Sequence, residues 1–230
     1  MSQSFMGKVL LDADLLQGHD RTEWERIVLA DLNKLWRSKT GRVVLNQLGS
    51  SGNLVKIVPF YSQEKNATAA PRNYRDAYYK DRPLRSAAHG ESNPAWGMST
   101  GRGSAVRLNY TPWRWADFHR PVILIHEMEH AAEQQLGVIF MNPVTSACFD
   151  TVAEFDAIVV ENICRSELGV FIRADHHSFN KLVGDWMLPD IQELRARLDS
   201  FRARMPHLTQ ALAGIDVPFN PLRHGARGAP

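Results

Sequence analysis

The chain has 230 residues, 44% of them hydrophobic, which is enough for one sizeable core and predicts a single domain over residues 1–230. Its 27 basic and 25 acidic side chains leave a formal net charge of +2, so charge gives no reason to expect nucleic acid or a membrane surface as a partner. No apolar run approaches the roughly 18 residues of a membrane-spanning helix, and the first residues lack the basic-then-apolar pattern of a Sec signal peptide.

The two cysteines, Cys148 and Cys164, are too few for a disulfide framework and too far apart for a C-x-x-C zinc site. We predict two buried thiols in a reducing compartment.

The N-terminal third alternates helical and extended patterns. Apolar residues recur at helical spacing from Arg21 to Leu48, and Gly41 is expected to interrupt or end a helix within this span. A turn is predicted over Gly49–Asn53 and a strand over Leu54–Phe60. Residues 61–103 are polar and predict a long connecting region with few regular elements, which is usually functional or mobile.

A second strand is predicted over Ser104–Tyr110, where apolar and polar residues alternate. An edge strand can pair with an extended peptide, in which case Arg107 or Asn109 would contact the side chains of that peptide; an ordinary sheet strand is the alternative. The pattern next predicts a helix that begins near Pro121 and ends near Gly137.

The C-terminal part is predicted to be mainly helical. One helix is expected from about Asp150 to Leu168, before Gly169, and an amphipathic helix over 187–205 is expected to pack on the rest as a lid or brace. The tail, residues 218–230, is predicted to be disordered.

The helix near residues 121–137 carries the motif H-E-x-x-H, formed by His126, Glu127 and His130. Residues four apart lie on one face of a helix, so both imidazoles can bind one ion. Catalytic zinc needs three protein ligands and one open position. Glu127 lies beside this face and is predicted to act as the general base that takes a proton from water and later gives it to the leaving amine.

The motif alone can occur by chance, and two histidines satisfied in a core are the alternative interpretation. The surrounding residues favour a site. The preceding residues 122–125 are apolar, and Glu129 and Glu133 are interpreted as solvated or supporting groups. The opposite face of the helix can pack on the core through Leu124, Met128, Ala131 and Leu136.

The third ligand does not come from the same helix. The longer motif of the metzincins is excluded, because Glu133 and Leu136 stand where it requires Gly and His. A carboxylate from the following helix is the usual alternative and would make the site gluzincin-like.

Three acids of that helix are candidates for the third ligand: Glu154, Asp156 and Glu161. Glu154 and Glu161 lie seven residues apart among apolar neighbours, where an unpaired carboxylate is costly. We predict Glu154 as the ligand, with Asp156 and Glu161 as alternatives. Glu161 or Asn162 would then hold a ligand imidazole in place. A charge on the helix surface is the alternative interpretation of each acid.

With these helices assigned, the chain resembles the NleD/HopH-type zinc metalloproteases, which are type III secreted effectors of enteric and plant-pathogenic bacteria. The resemblance extends from about Lys34 to His176, and its last stretch is the most discriminating. It rests on four stretches: KLWRSKTGRVVLNQL, GRGSAVRLNYTP, ILIHEMEHA and VENICRSELGVFIRADH.

The resemblance implies an α+β, zincin-like fold in which a small sheet packs on the H-E-x-x-H helix, with further helices C-terminal to it. It also implies a Zn²⁺ cofactor and endopeptidase activity in virulence. The implied substrate is a host signalling protein, reached by type III secretion into the host cytoplasm. No feature of the sequence specifies an oligomeric state.

One departure from the family pattern concerns an Arg followed three residues later by Tyr, which resembles an oxyanion-stabilising pair. Here Arg173 is followed at that spacing by His176. Arg173 can offer its guanidinium to a tetrahedral oxyanion, with a salt bridge as the alternative. An imidazolium at His176 or His177 can replace the phenol as a donor.

Two other functions compete with a zinc endopeptidase. A binding or adaptor protein would use zinc structurally, with a fourth protein ligand and no open position. A zinc hydrolase acting on a small molecule is the third hypothesis, and the polar segment 61–103 fits a protein-binding surface better.

Overall fold

A computed structural model describes residues 3–60, 67–82, 97–114, 116, 119–144, 149–176, 180–182 and 191–225. Within these residues, five strands form one mixed sheet, accompanied by seven α-helices, in agreement with the predicted α+β class. The strands are β1 (Gln3–Met6), β2 (Val9–Leu11), β3 (Val55–Pro59), β4 (Ala67–Pro71) and β5 (Val106–Tyr110). The helices are α1 (Gly18–Arg37), α2 (Lys39–Ser50), α3 (Tyr74–Ala77), α4 (Arg120–Leu136), α5 (Val152–Glu167), α6 (Ile191–Arg204) and α7 (Pro206–Ala213).

The sheet has the strand order β1-β2-β3-β5-β4. Strands β2, β3 and β5 are parallel, whereas β1 and β4 are antiparallel to their neighbours. The two predicted strands are β3 and β5. The interpretation of β5 as an edge strand is wrong, because β4, formed by residues assigned to the connecting region, lies outside it.

The break between α1 and α2 falls at Ser38 and not at the predicted Gly41. Ser38 is extended, and its hydroxyl accepts a hydrogen bond from the backbone N–H of Gly41 at 2.9 Å, which caps α2. Gly41 instead permits a close approach, since a Cβ there would lie 2.1 Å from the carbonyl oxygen of Leu35.

The core lies between the sheet and helices α1, α2, α4 and α5. Trp24 of α1 is fully buried, and its indole N–H donates to the carbonyl oxygen of Tyr110 at 3.1 Å. Asp31 of α1 accepts from the Tyr110 hydroxyl at 3.0 Å and from Arg120 at 3.1 Å. These bonds fix the start of α4 relative to α1 and β5.

The C-terminal helices pack on the domain, as the prediction of a brace requires. Leu194, Leu198 and Phe201 of α6 are buried; residues 187–190 of the predicted helix lie outside the described part. The predicted disorder of the tail is wrong for residues 219–225. Residues Pro221–Gly225 form a 3-10 helix, and Leu222 is fully buried, so apolar burial holds this segment. Residues 226–230 lie outside the described part.

Among the described residues, no helix is both long and apolar enough to cross a bilayer. Cys164 is buried as a free thiol, as predicted, and Cys148 lies outside the described residues.

Candidate metal centre

Helix α4 has the predicted bounds and presents both histidines of the motif on one face. Pro121 occupies its first turn, and Gly137 ends it with a φ of 73°. The imidazoles of His126 and His130 lie one turn apart, with ring centroids 4.9 Å apart and planes 85° to each other. Both rings are buried.

Glu154 meets these histidines from the first turn of α5. Thr151 caps that helix by accepting from the backbone N–H of Glu154 at 3.3 Å, which leaves the Glu154 carboxylate pointing toward α4. Its Oε2 lies 3.2 Å from Nε2 of His126 and 3.3 Å from Nε2 of His130.

The donor set fits a tetrahedral metal ion. Metal–ligand bonds of about 2.0–2.1 Å place neighbouring tetrahedral ligand atoms about 3.3 Å apart, which matches both distances to Glu154. In the described part of the chain, the group with ligand atoms within 4.8 Å of one another around this point consists of His126, His130 and Glu154. Three ligands are the number found in catalytic zinc sites, which keep a fourth position open.

Glu161 holds His126 from the other side of the ring. Its Oε2 lies 2.9 Å from Nδ1 of His126, and its carboxylate also accepts from Arg165 at 2.7 Å and Arg173 at 3.1 Å. Burial raises the pKa of Glu161, but His126 and the two guanidinium groups outweigh it and lower the pKa to about 2. Glu161 is thus a permanent carboxylate that orients the ring, a role typical of residues behind metal ligands.

The carboxylates of Glu154 and Glu161 together raise the affinity of His126 for a proton. Burial lowers the pKa of His126, but hydrogen bonds to Glu154 and Glu161 outweigh it and raise the pKa to about 10. A cation, either a proton or a metal ion, is therefore strongly favoured at this ring.

We expect zinc affinity to increase with pH as a result. Because the pKa of His126 is raised to about 10, the metal-free ring is protonated at neutral pH, and a metal ion must displace that proton. The apparent dissociation constant should fall about tenfold per pH unit between about pH 6 and 8 for one displaced proton. Chelator competition, corrected for the protonation of the chelator, measures this. A constant affinity over that range would contradict it.

Glu127 lies next to the ligand cluster and is half-buried. The backbone N–H of Ala69, in the edge strand β4, donates to its carboxylate, and burial raises its pKa despite the nearby histidines. A carboxylate with a raised pKa, held beside a metal site, is suited to general-base chemistry near neutral pH.

Comparison with known proteins places this site in a family. The model of the peptidase M91 family, described as effector proteins, matches residues 12–158, more than half of the chain. The chain belongs to the peptidase M91 effector family. This is the NleD-type family of effector metallopeptidases, so the predicted membership is confirmed. No curated protein gave a significant match.

Arg173 and His176 lie beyond the part matched by the M91 family model. Arg173 donates to Glu161 at 3.1 Å and to the carbonyl oxygen of His176, so its guanidinium reaches the ligand cluster through Glu161. Asn162 binds both backbone groups of Arg173, at 2.8 and 2.9 Å, and holds no ligand imidazole. The last predicted alternative, His177, lies outside the described residues.

The imidazole of His176 contacts Glu154 at the candidate metal centre. Its Nε2 is 3.1 Å from Oε2 of Glu154, and the ring stacks on His126 with centroids 5.8 Å apart. Its Nδ1 is 3.0 Å from Oδ2 of Asp150, which was expected only as the start of a helix and not as a site residue. This contact was not predictable, because Asp150 lies before α5 and no known motif relates its position to that of His176.

Of the two interpretations of Glu129 and Glu133, as solvated or as supporting groups, the first is wrong, since both are fully buried. Together with Asp156 they face Arg204 of α6, which donates to Glu133 and to Asp156. Asp156 is therefore directed away from His126 and His130, which leaves Glu154 as the better-placed third ligand. Burial raises the pKa of both Glu129 and Asp156 well above the usual range.

Arg204 is expected to be important for stability. Replacing it with Met removes the cation that contacts Glu133 and Asp156 in the described structure and leaves these buried acids uncompensated. The free energy of unfolding should fall by about 3–5 kcal/mol. Urea denaturation of Arg204→Met measures this, with Arg195→Met as the control. Arg195 is exposed on the same helix, and its replacement should change stability by about 0.5 kcal/mol or less. Equal stability of both variants would show that the cluster is not an energetic constraint.

Proposed function

We propose that this M91 effector is a zinc-dependent endopeptidase of the gluzincin type that is delivered by a bacterium into a host cell and cleaves a host signalling protein there. The observation that carries the proposal is the convergence of His126 and His130 on Glu154, at 3.2 and 3.3 Å, with Glu127 beside them. Family membership supports peptidase activity and an effector role.

The protein side of the mechanism follows from this geometry. Zinc held by His126, His130 and Glu154 would polarise a scissile carbonyl and acidify a water molecule. Glu127 takes the proton of the attacking water and delivers it to the leaving amine. Ala69 keeps the Glu127 carboxylate in position through its backbone N–H.

Substrate binding is proposed along β4. This strand is the sheet edge beside α4, and Gln134 of α4 donates to the carbonyl oxygen of Ala69 at 3.2 Å, so a peptide would pair with the edge groups of β4 on either side of Ala69. An extended peptide lying along β4 therefore passes Glu127. Contact with an extended substrate, first considered for Arg107 and Asn109 of β5, is therefore proposed for the backbone of β4.

Stabilisation of the oxyanion is proposed for His176, whose Nε2 faces the metal centre. Only the imidazolium form of this ring can donate from both nitrogens, to Asp150 through Nδ1 and to the oxyanion through Nε2, and burial lowers the pKa of His176 against this form. The contacts of Arg173 support a positioning role, since its guanidinium donates to the Glu161 carboxylate that holds His126.

The metal content of the purified chain is the first test. Wild-type protein after dialysis should contain about one zinc ion per chain, and His130→Ala should contain almost none, because two remaining ligands bind zinc weakly. The matched control is His207→Ala, which alters an exposed histidine on α7 and should keep the zinc. Elemental analysis gives the result. A folded wild-type protein that binds no added zinc would contradict the proposal.

Binding of an inhibitor distinguishes a catalytic zinc site from the structural zinc site of an adaptor protein. A hydroxamate should bind at the open position and block cleavage of proteins in a host-cell extract. A zinc-loaded protein that neither binds the hydroxamate nor cleaves any protein would favour a structural zinc site.

A further inference from the structure

A basic and apolar surface lies at the end of β4, next to the candidate metal centre. We define the basic ridge as residues 72–82 together with residues 97–102. Backbone hydrogen bonds join the two segments: Thr100 donates to Arg75 at 2.7 Å, Asp81 to Ser99 at 3.1 Å, and Ser99 to Arg82 at 2.9 Å. The ridge is thus one continuous surface.

The charge of this surface is strongly positive. Two acids, Asp76 and Asp81, belong to it, and Asp76 is engaged by Thr100 and Asn73. Five exposed cations oppose them, whereas the entire chain has a net charge of +2. Within the described part of the chain, no ion pair is recorded for Arg72, Arg75, Lys80, Arg82 or Arg102.

Apolar side chains are exposed between these cations. Of the seven large apolar side chains that are exposed among the described residues, three belong to the ridge. Tyr74 is 50% exposed, Met98 48% and Tyr79 38%. Exposed apolar groups set among cations that form no ion pair within the described residues are typical of a surface that binds a partner.

The position of the ridge indicates what it binds. β4 ends at Pro71, and the ridge begins at the next residue. An extended substrate that pairs antiparallel to β4 has its N-terminal residues beside Pro71, because the two chains run in opposite directions. At about 3.3 Å per residue, roughly two to six residues before the scissile bond would contact the ridge.

We propose that the basic ridge is a specificity site for an acidic segment with interspersed apolar residues, N-terminal to the scissile bond of the protein substrate. This inference rests on the proposed function for the identity of the substrate. Carboxylates of the segment pair with Arg75 and Lys80, and its apolar side chains pack on Tyr74 and Met98. Aromatic and basic groups also suit single-stranded nucleic acid, but the direct continuation of the β4 edge favours a polypeptide.

The test measures binding separately from cleavage. Full-length Glu127→Ala protein, loaded with zinc, is titrated into a short fluorescein-labelled peptide of interspersed Glu and Leu, its Gln-for-Glu counterpart, and a single-stranded DNA oligonucleotide. Fluorescence anisotropy should show at least about tenfold tighter binding of the Glu peptide than of the Gln peptide, weakening as salt is added.

Charge reversal locates the binding surface. Arg75→Glu/Lys80→Glu in the same background should weaken binding of the Glu peptide by about tenfold. The matched control, Lys34→Glu/Arg195→Glu, makes the same change in net charge at exposed positions of α1 and α6 and should change affinity less than about twofold. Equal losses in both variants, no preference for Glu over Gln, or tighter binding of the oligonucleotide would each overturn the inference.

Cleavage distinguishes failure of the ridge from failure of the proposed function. Wild-type enzyme acting on peptides prepared from a host-cell proteome should cut preferentially after acidic segments, and the ridge variant should lose this preference mainly through KM. Acid-dependent binding without any cleavage would contradict the peptidase proposal and leave the ridge intact. Cleavage without acid preference would contradict the ridge alone.

Discussion

Replacing Glu127 with Ala is expected to abolish proteolysis and to leave the metal centre intact. Glu127 is not among the three residues that converge on the ion position, so zinc content should remain at about one per chain. Loss of a general base typically costs about 10²–10⁴-fold in rate, and we expect the upper end because the same group also protonates the leaving amine.

The Glu127→Gln variant separates the effect of losing proton transfer from the effect of changing the shape of the side chain. Gln keeps the size of the side chain and an oxygen that can accept from Ala69, but it cannot accept the proton of water. Cleavage of a protein substrate by both variants, measured beside zinc content, should be reduced to a similar extent. Normal cleavage by either variant would exclude Glu127 as the base.

Replacing Glu154 with Ala is expected to have the largest effect on metal binding of any carboxylate in the site. Its Oε2 contacts Nε2 of both histidines, and His130 and His126 hold its pKa well below the usual range in spite of burial, so it is ionised whenever the ligand set forms. Zinc affinity should fall roughly a thousandfold or more when one of three ligands is removed.

The alternative ligands serve as internal comparisons for Glu154. Glu161→Gln should weaken zinc binding by about 10–100-fold, because it removes the carboxylate behind His126 and not a ligand. Asp156→Asn should leave zinc affinity nearly unchanged, since Asp156 faces Arg204. Competition with a zinc-selective dye gives all three values. A larger loss in Asp156→Asn than in Glu154→Ala would reassign the third ligand.

The helices of the site were predictable because local signals determine them. Pro121, Gly137 and the apolar residues between them indicated the bounds of α4, and spacing along α5 indicated that Glu154 and Glu161 share a face. Those two acids contact opposite sides of the same His126 ring.

Three strands were missed because their residues give weak local signals. β1 and β2 have four and three residues, and β4 has the sequence ATAAP, in which Ala and Pro disfavour strands. β2 and β4 form through pairing with distant residues, such as Ala69 of β4 with Leu108 of β5, whereas β1 pairs with the neighbouring β2 and is too short to give a clear pattern. The edge beside α4, where substrate binding is proposed, was therefore not predictable from periodicity.

The buried acids of α4 were misassigned for a related reason. Glu129 and Glu133 resemble surface residues on a helical wheel, and the ion-pair partner of the buried Glu133, Arg204, is 71 residues away along the chain. Pairing over that separation leaves no local pattern. The amphipathic helix that carries Arg204 was predicted, but neither the burial of this arginine nor its partners were.

The contacts of Arg204 also determine where this protein can be divided. The M91 family model ends at residue 158, within α5, whereas Glu133 and Asp156 of the matched part are neutralised by a helix that begins at Ile191. A chain cut at the end of the match would expose the apolar surface under Phe201 and Leu222 and leave both acids without their cation. The end of the matched sequence is therefore not a boundary of folding. The smallest part of the chain that we expect to fold includes the C-terminal helices α6 and α7.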